Sequence, residues 1–153
     1  MAVKKLAWSP PGKMNLSKYL LRSEYECSHC HQLPPDLFVH DIRRPYSELF
    51  DIFDSVRERW GKPIPVSSGY RCPYHNSQIG GALCSPHMFG VALDLDLPNT
   101  EEVEELFTLI DTDFGHLRIG KYTESGTFLH IDNAFEVFPR PSHNWLRGVR
   151  WNK

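Results

Sequence analysis

The feature that most constrains this fold is an alternating run near the middle of the chain, from Val91 to Leu97. Large apolar residues there alternate with Ala92, Asp94 and Asp96. Because successive side chains of a β-strand point to opposite faces, the run predicts a strand with one apolar face and one face that carries aspartates. A carboxylate in such a strand is costly to bury unless a positive group meets it. We therefore expect a polar site on that second face.

A second predicted strand, residues 127–132, supplies a partner for this face. His130 and Asp132 alternate with apolar neighbours and share one side of the strand. If both strands lie in one sheet, Asp94 and His130 can converge, and His87 can close in from the loop before the first strand. Two histidines and one carboxylate leave one position open on a tetrahedral zinc ion, as in a catalytic zinc site. Asp132 could then orient a ligating histidine.

Length and composition favour one ordinary globular domain over residues 1–153. The net charge of -2 predicts no nucleic-acid surface. No apolar run is long enough for a membrane helix, so we expect no membrane insertion. The first residues lack the apolar core of a signal peptide, which predicts synthesis and folding in the cytoplasm. Residues 1–14 indicate an extended arm, and residues 134–153 an irregular C-terminal wrap.

The remaining pattern predicts an α+β fold, a small antiparallel sheet with helices packed on one side. A helix should start at Pro45 and end at Gly61, with its apolar residues at helical spacing. Further predicted elements are a short strand at 63–66, a short helix at 73–79, a helix capped by Asn99 or Thr100, and a strand at 117–122 that forms a hairpin with the His130 strand.

Three motifs carry a family resemblance: SSGYR at 67–71, SPHMFGVALD at 85–94 and LHID at 129–132. Together with Asn76 and the Ile-Gly-Gly-Ala at 79–82, they resemble the M15 peptidases, which include zinc D-Ala-D-Ala carboxypeptidases, dipeptidases and phage endolysins. The resemblance extends roughly from residue 15 to residue 132. It implies a DD-peptidase-like fold, shared with hedgehog domains, and one catalytic zinc ion.

The resemblance also implies roles for other residues. Arg71 is expected to bind a substrate carboxylate or stabilise an oxyanion, and a plain salt bridge is the alternative. Ser85 either contacts substrate or supports its loop. Many family members carry an acid three residues before the last histidine, where this chain has Thr127. The nearest carboxylate along the chain, Glu124, is therefore the first candidate for general base, and Asp132 is the second.

These features predict a zinc-dependent peptidase that acts on peptidoglycan stem peptides, resembling a phage or prophage endolysin. We expect a monomer that another factor delivers to the cell wall. The alternative is a catalytically inactive zinc-holding module of the same fold, and Thr127 keeps it open. A third hypothesis is a cysteine-histidine interaction domain built around Cys27 and Cys30.

The four cysteines leave three interpretations open. Cys27-x-x-Cys30, with His29 and His31, could be half of a zinc site, which Cys72 and Cys84 could complete. The simpler interpretation is reduced, partly buried thiols, and we therefore expect one catalytic zinc ion and no second ion at Cys27 and Cys30. A disulfide between Cys72 and Cys84 in an oxidising space is a further alternative.

Overall fold

The computed structural model describes residues 15–35 and 45–153; the predicted arm at 1–14 lies outside this part of the chain. The helices and strands follow one another in the order α1 (Arg22–Tyr25), α2 (Pro45–Trp60), β1 (Val66–Ser68), α3 (Pro73–Gln78), β2 (Ala92–Asp96), α4 (Thr100–Asp113), β3 (Arg118–Tyr122), β4 (Phe128–Asp132) and β5 (Arg150–Asn152). The predicted α+β class is confirmed. None of the described helices is long and apolar enough to span a bilayer.

The five strands form one mixed sheet in the order β1-β2-β4-β3-β5. The first four pair antiparallel as expected, whereas β5 runs parallel to β3. The prediction of a purely antiparallel sheet, and of a tail without regular structure, was wrong at this strand. The outer edge of β3 would otherwise present unpaired backbone groups. The tail satisfies them, for example through Ile119 N–H to Val149 O at 3.0 Å and Lys153 N–H to Lys121 O at 2.7 Å.

One face of the sheet carries the hydrophobic core. Leu93, Leu95, Leu129 and Ile131 are fully buried there. They belong to one apolar cluster with the inner faces of α2 and α4, including Leu49, Phe53, Val56, Val103, Leu106 and Ile110. The opposite face is therefore free to carry polar residues. The long helix predicted to begin at Pro45 is confirmed, with its last residue at Trp60.

Local sequence explains the smaller elements. The predicted strand at 63–66 begins only at Val66, after Pro65, because prolines cannot donate to a sheet. Pro65 still contributes its carbonyl, which accepts the Asp96 N–H at 2.8 Å. Asn99 caps α4, since its side chain accepts the N–H of Glu102 at 2.9 Å. The Pro65 contact holds the end of β2, the strand that carries Asp94.

Candidate metal centre

Two imidazoles and one carboxylate meet on the sheet face opposite the core. Asp94 Oδ1 lies 3.2 Å from His87 Nε2 and 3.1 Å from His130 Nδ1. One donor atom from each of the three residues lies within 4.8 Å of the others. Ligand atoms around a tetrahedral zinc ion with bonds of 2.0–2.2 Å are about 3.4 Å apart. The donor set and its spacing therefore fit a zinc ion with a fourth position open.

Strand pairing brings two of these groups together. Asp94 in β2 is directly opposite His130 in β4, and both point away from the core. His87 reaches them from a 3₁₀ turn, Pro86–Phe89, that immediately precedes β2. Gly90 ends this turn with a φ of +73°, a conformation that suits glycine. The short SPHMFG segment therefore delivers the third side chain to the end of the strand.

Backbone and carboxylate groups hold the far side of each imidazole. His87 Nδ1 donates to the carbonyl of Gly69 at 2.7 Å, which leaves Nε2 for a metal. His130 Nε2 is 2.6 Å from Asp132 Oδ2, which leaves Nδ1 for a metal. Asp132 is fully buried, and its other oxygen accepts the Ala134 N–H at 3.0 Å. Such partners fix the ring orientation of a metal ligand, and Asp132 lies where it could orient His130 in this way.

The short helix α1 contacts both the loop that contains Gly69 and the turn that carries His87. Tyr25 accepts the Tyr70 N–H through its carbonyl at 2.6 Å and donates from its hydroxyl to Gly90 O at 2.7 Å. A side chain at Gly69 would collide with Tyr25, because a Cβ there would lie 2.6 Å from its ring. One tyrosine thus fixes both the carbonyl that orients His87 and the end of the His87 turn.

The buried charges support one another in the metal-free protein. Burial opposes the ionised form of Asp94, but the two neighbouring imidazoles outweigh it and hold the pKa of Asp94 well below its usual range. Burial likewise lowers the pKa of His130, whereas Asp132 and Asp94 together raise that pKa to about 9. The site therefore favours a positive charge between its carboxylates. A divalent cation can take the place of that proton.

A cleft of about 440 Å³ opens onto the three candidate ligands. Its other walls include Arg71, Arg118, Tyr122, Phe128, Trp151 and Lys153. Among the described residues that line it, Asp94 is the one carboxylate. Beyond the metal ligands, the charged side chains of the lining are thus cationic, which suits an anionic ligand.

Two arginines occupy this lining in different ways. Arg71 donates to Asn76 Oδ1 at 2.9 Å and to Ser68 Oγ at 3.3 Å, both neutral partners, so these contacts are not the salt bridge considered above. Arg118 is buried with its Nε 3.6 Å from Asp132 Oδ1. Its Nε and Nη1 have no hydrogen-bond partner within the described chain. Arg118 belongs to none of the motifs that indicated the site.

The C-terminal strand adds an aromatic wall that the sequence did not predict. Trp151 in β5 lies opposite Gly120, and a Cβ at Gly120 would come within 2.4 Å of its indole. The indole centroid is 5.2 Å from that of His130, and its Nε1 donates to the Tyr122 hydroxyl at 3.0 Å. The irregular wrap predicted for residues 134–153 does not include the strand that positions this side chain. The sequence around Trp151 has no long alternation of apolar and polar residues that would predict a strand there.

The remaining predicted site residues are more peripheral. Ser85 is buried in the cleft wall, and its hydroxyl accepts the His87 N–H at 3.3 Å, which is the loop-supporting alternative. Thr127 donates to Leu97 O at 2.6 Å. Glu124 is exposed in the turn between β3 and β4 and is not part of the cleft lining. The structure therefore brings together the predicted metal ligands but not the predicted base.

The fold and the donor set define an α+β domain whose open cleft carries a His-Asp-His group that could hold a metal ion. The sequence model of the Peptidase M15 family matches residues 21–132, well over half of the chain, and the protein belongs to that family. No curated protein matches the chain. M15 peptidases are zinc-dependent, so the family indicates a zinc metallopeptidase with a peptide substrate.

Proposed function

We propose that this protein is a zinc peptidase that hydrolyses amide bonds in bacterial peptidoglycan stem peptides, in the manner of a phage or prophage endolysin. The observation that carries the proposal is the convergence of His87, Asp94 and His130 at an open cleft with a cationic lining. Zinc with one free coordination position lowers the pKa of a water molecule and polarises a carbonyl. That chemistry suits amide hydrolysis.

The protein groups around the site have separable roles in this proposal. Gly69 O and Asp132 hold the two imidazoles in the orientation that presents their free nitrogens. Arg71 and Arg118 line the cleft and add positive charge to it, and the buried Arg118 guanidinium also pairs with Asp132 at 3.6 Å. Stem peptides carry free carboxylates. A guanidinium binds a carboxylate well, because it is permanently charged and forked.

Glu124 is the candidate for the group that accepts a proton from the attacking water and returns one to the leaving amine. Asp94 is a metal ligand in this scheme, and both oxygens of Asp132 are engaged by His130 and the Ala134 N–H. Neither is free to act as base. The turn that carries Glu124 begins directly after Tyr122, which lines the cleft. A movement of this exposed turn would bring the carboxylate to the cleft rim.

A second candidate function is a zinc-holding module that binds peptidoglycan without cutting it. The observation that favours it is the position of Glu124 outside the cleft lining, together with the engagement of Thr127 by Leu97 O. In that case the His87-Asp94-His130 set would stabilise the fold and shape the cleft. The same cationic lining would then bind the stem peptide.

One experiment separates the two functions. Purified protein is incubated with purified peptidoglycan, and the released fragments are identified by mass spectrometry, with and without a chelator and after zinc is restored. The peptidase predicts new amino and carboxyl termini that disappear with chelator and with His87→Ala. Co-sedimentation with the insoluble material and no fragments at any zinc concentration would support the binding module instead.

The endolysin role has its own test. Added from outside, the protein should lower the turbidity of outer-membrane-permeabilised cells and leave intact cells unchanged, since it needs delivery to the wall. Size-exclusion chromatography with light scattering tests the expected monomer. Clearing of intact cells would contradict the requirement for a delivery factor but not the peptidase activity.

A further inference from the structure

A second cluster of potential metal ligands lies apart from the proposed catalytic centre. The Sγ atoms of Cys27, Cys30 and Cys72 all lie within 4.8 Å of one another. The three cysteines are unoxidised. Sulfur atoms around a tetrahedral zinc ion with bonds of about 2.3 Å are about 3.8 Å apart. Small side-chain rotations would bring three thiolates to that spacing.

Cys84, which the sequence offered as a fourth ligand, does not join this group. It packs with Val91 and Trp145 and lines the catalytic cleft instead. The spacing along the chain offers another candidate. His75 follows Cys72 with two residues between them, as Cys30 follows Cys27, so the cluster reads Cys-x-x-Cys and Cys-x-x-His.

The imidazole of His75 already lies against the cysteine loop. Its Nε2 is 3.2 Å from the hydroxyl of Ser28, which lies between Cys27 and Cys30. Its ring stacks on that of His29 with centroids 5.8 Å apart and an angle of 5°. The ring nitrogens lie outside the group of three sulfurs as it stands, so a rotation of this half-buried ring is needed for His75 to become a ligand. Three cysteines and one histidine form the closed donor set of a structural zinc site.

Backbone N–H groups surround the sulfurs in a way that suits thiolates. Cys27 Sγ accepts the N–H of Cys72 at 3.4 Å and those of His29 and Cys30. Cys72 Sγ accepts the N–H of His75 at 3.4 Å. Hydrogen bonds to the charged form of a ligand favour that form. The sulfurs of Cys27 and Cys72 therefore already accept backbone N–H groups, at a place where all three cysteines border the apolar core.

We propose that Cys27, Cys30, Cys72 and His75 form a second, structural zinc site that joins the N-terminal segment to the loop before α3. Each thiol that becomes a ligand releases its proton to solvent. The site clamps the loop at residues 69–72, from which Gly69 O orients His87 and Arg71 N–H donates to His87 O at 3.0 Å. The structural ion therefore supports the geometry of the catalytic one without touching substrate.

Metal counting tests this proposal independently of activity. The full chain is prepared with a reductant, loaded with zinc, freed of excess metal and analysed by elemental mass spectrometry. We expect two zinc ions per chain for the wild type, and one for each of His130→Ala and Cys30→Ser. Cys84→Ser is the matched control and should retain two, because its sulfur lies outside the cluster.

Cobalt substitution identifies the ligands even if a cysteine variant folds poorly. Cobalt(II) bound to thiolates gives strong near-ultraviolet sulfur-to-metal charge-transfer absorption, which a site of two histidines and one aspartate cannot give. The bands should be present in the wild type and in His130→Ala, and absent in the double variant Cys30→Ser/Cys72→Ser. A wild type without these bands, or one that holds a single ion lost on His130→Ala, would overturn the proposal.

Discussion

His130 Nε2 and Asp132 Oδ2 lie 2.6 Å apart, although they belong to the same strand. Residues two apart on a strand share a face, so the aspartate is placed beside the imidazole by β geometry alone. The side chain of Asp132 is fully buried, and its Oδ1 lies 3.6 Å from Arg118 Nε. The contact engages Nε2 and leaves Nδ1 of His130 as the nitrogen that could bind a metal ion.

Asp132→Asn should therefore weaken zinc binding at the catalytic centre by about 10–100-fold, the usual cost of losing such an orienting partner. A competition titration with a chromophoric chelator measures the change. Asp96→Asn is the matched control, since Asp96 is a half-buried aspartate on the same face of β2 as Asp94. Equal affinity for zinc in the two variants would show that Asp132 does not orient the ligand.

His87→Ala and Asp94→Ala should each lose one equivalent of zinc and all peptidase activity. Each substitution leaves only two of the three ligands, and two side chains are too few to hold the ion. Asp94 Oδ1 lies about 3 Å from a nitrogen of each histidine, so all three side chains belong to one site. Elemental analysis after dialysis against a weak chelator measures the loss. The exposed His143→Ala is the control. Full zinc in both ligand variants would refute the ligand set.

Glu124→Gln should keep both zinc content and fold but lower the turnover number by roughly 10²-fold or more, in line with general-base contributions. Fragment release from peptidoglycan under saturating substrate measures it. Glu105→Gln, an exposed glutamate on α4, is the matched control. Unchanged turnover in Glu124→Gln would remove Glu124 from the mechanism.

Arg71→Met should lower kcat/KM by roughly 10–100-fold, because a hydrogen bond from a charged group contributes about 1.5–3 kcal/mol. The same substitution at Arg118 should weaken the binding of stem peptides that carry a free carboxylate more than that of their amidated forms. Steady-state kinetics on both peptide forms measures the effect. Arg147→Met, an exposed site, is the control. Equal losses for the two peptide forms would contradict carboxylate binding by Arg118.

The stability that His130 gives the metal-free protein should be lost as pH rises from about 6.5 to 9. The pKa of His130 is raised to about 9, above the ordinary value of about 6.5. A raised pKa contributes stability that is fully present below the unfolded pKa and is lost as pH passes the folded one. Melting temperatures in excess chelator, compared between wild type and His130→Asn, measure this contribution.

The comparison with His130→Asn is needed because a thiol acts in the opposite direction. Burial raises the pKa of Cys27, but hydrogen bonds from the Cys72, Cys30 and His29 backbone outweigh it and lower the pKa to about 7. That group adds stability as pH rises. A wild-type advantage over His130→Asn that grows between pH 6.5 and 9 would contradict the assignment for His130.

Side-chain alternation made much of the site predictable. The aspartates of β2 and the histidine of β4 predict a polar face, and the apolar residues between them predict the core face. The pairing of Asp94 with His130 then follows from the antiparallel sheet. The predicted strand and helix positions differ from the structure by only a few residues, mainly where prolines delay β1.

Other parts of the site carry no side-chain signal. The carbonyl of Gly69 orients His87, and a backbone carbonyl looks the same at every position of a sequence. Trp151 reaches the cleft because the tail adds a parallel strand, a long-range pairing that local pattern does not encode. The exclusion of Cys84 and the inclusion of Cys72 in the sulfur cluster depend on how two distant loops meet.

Because Asp94 pairs directly with His130, metal bound at this centre would indicate that β2 and β4 are paired in the correct register. A slip of one residue between β2 and β4 would turn either ligand toward the apolar core, because strand periodicity is two. A misaligned molecule would therefore lose the cation outright rather than hold it loosely. In a mixed preparation, the occupied fraction of this centre would count the correctly registered molecules.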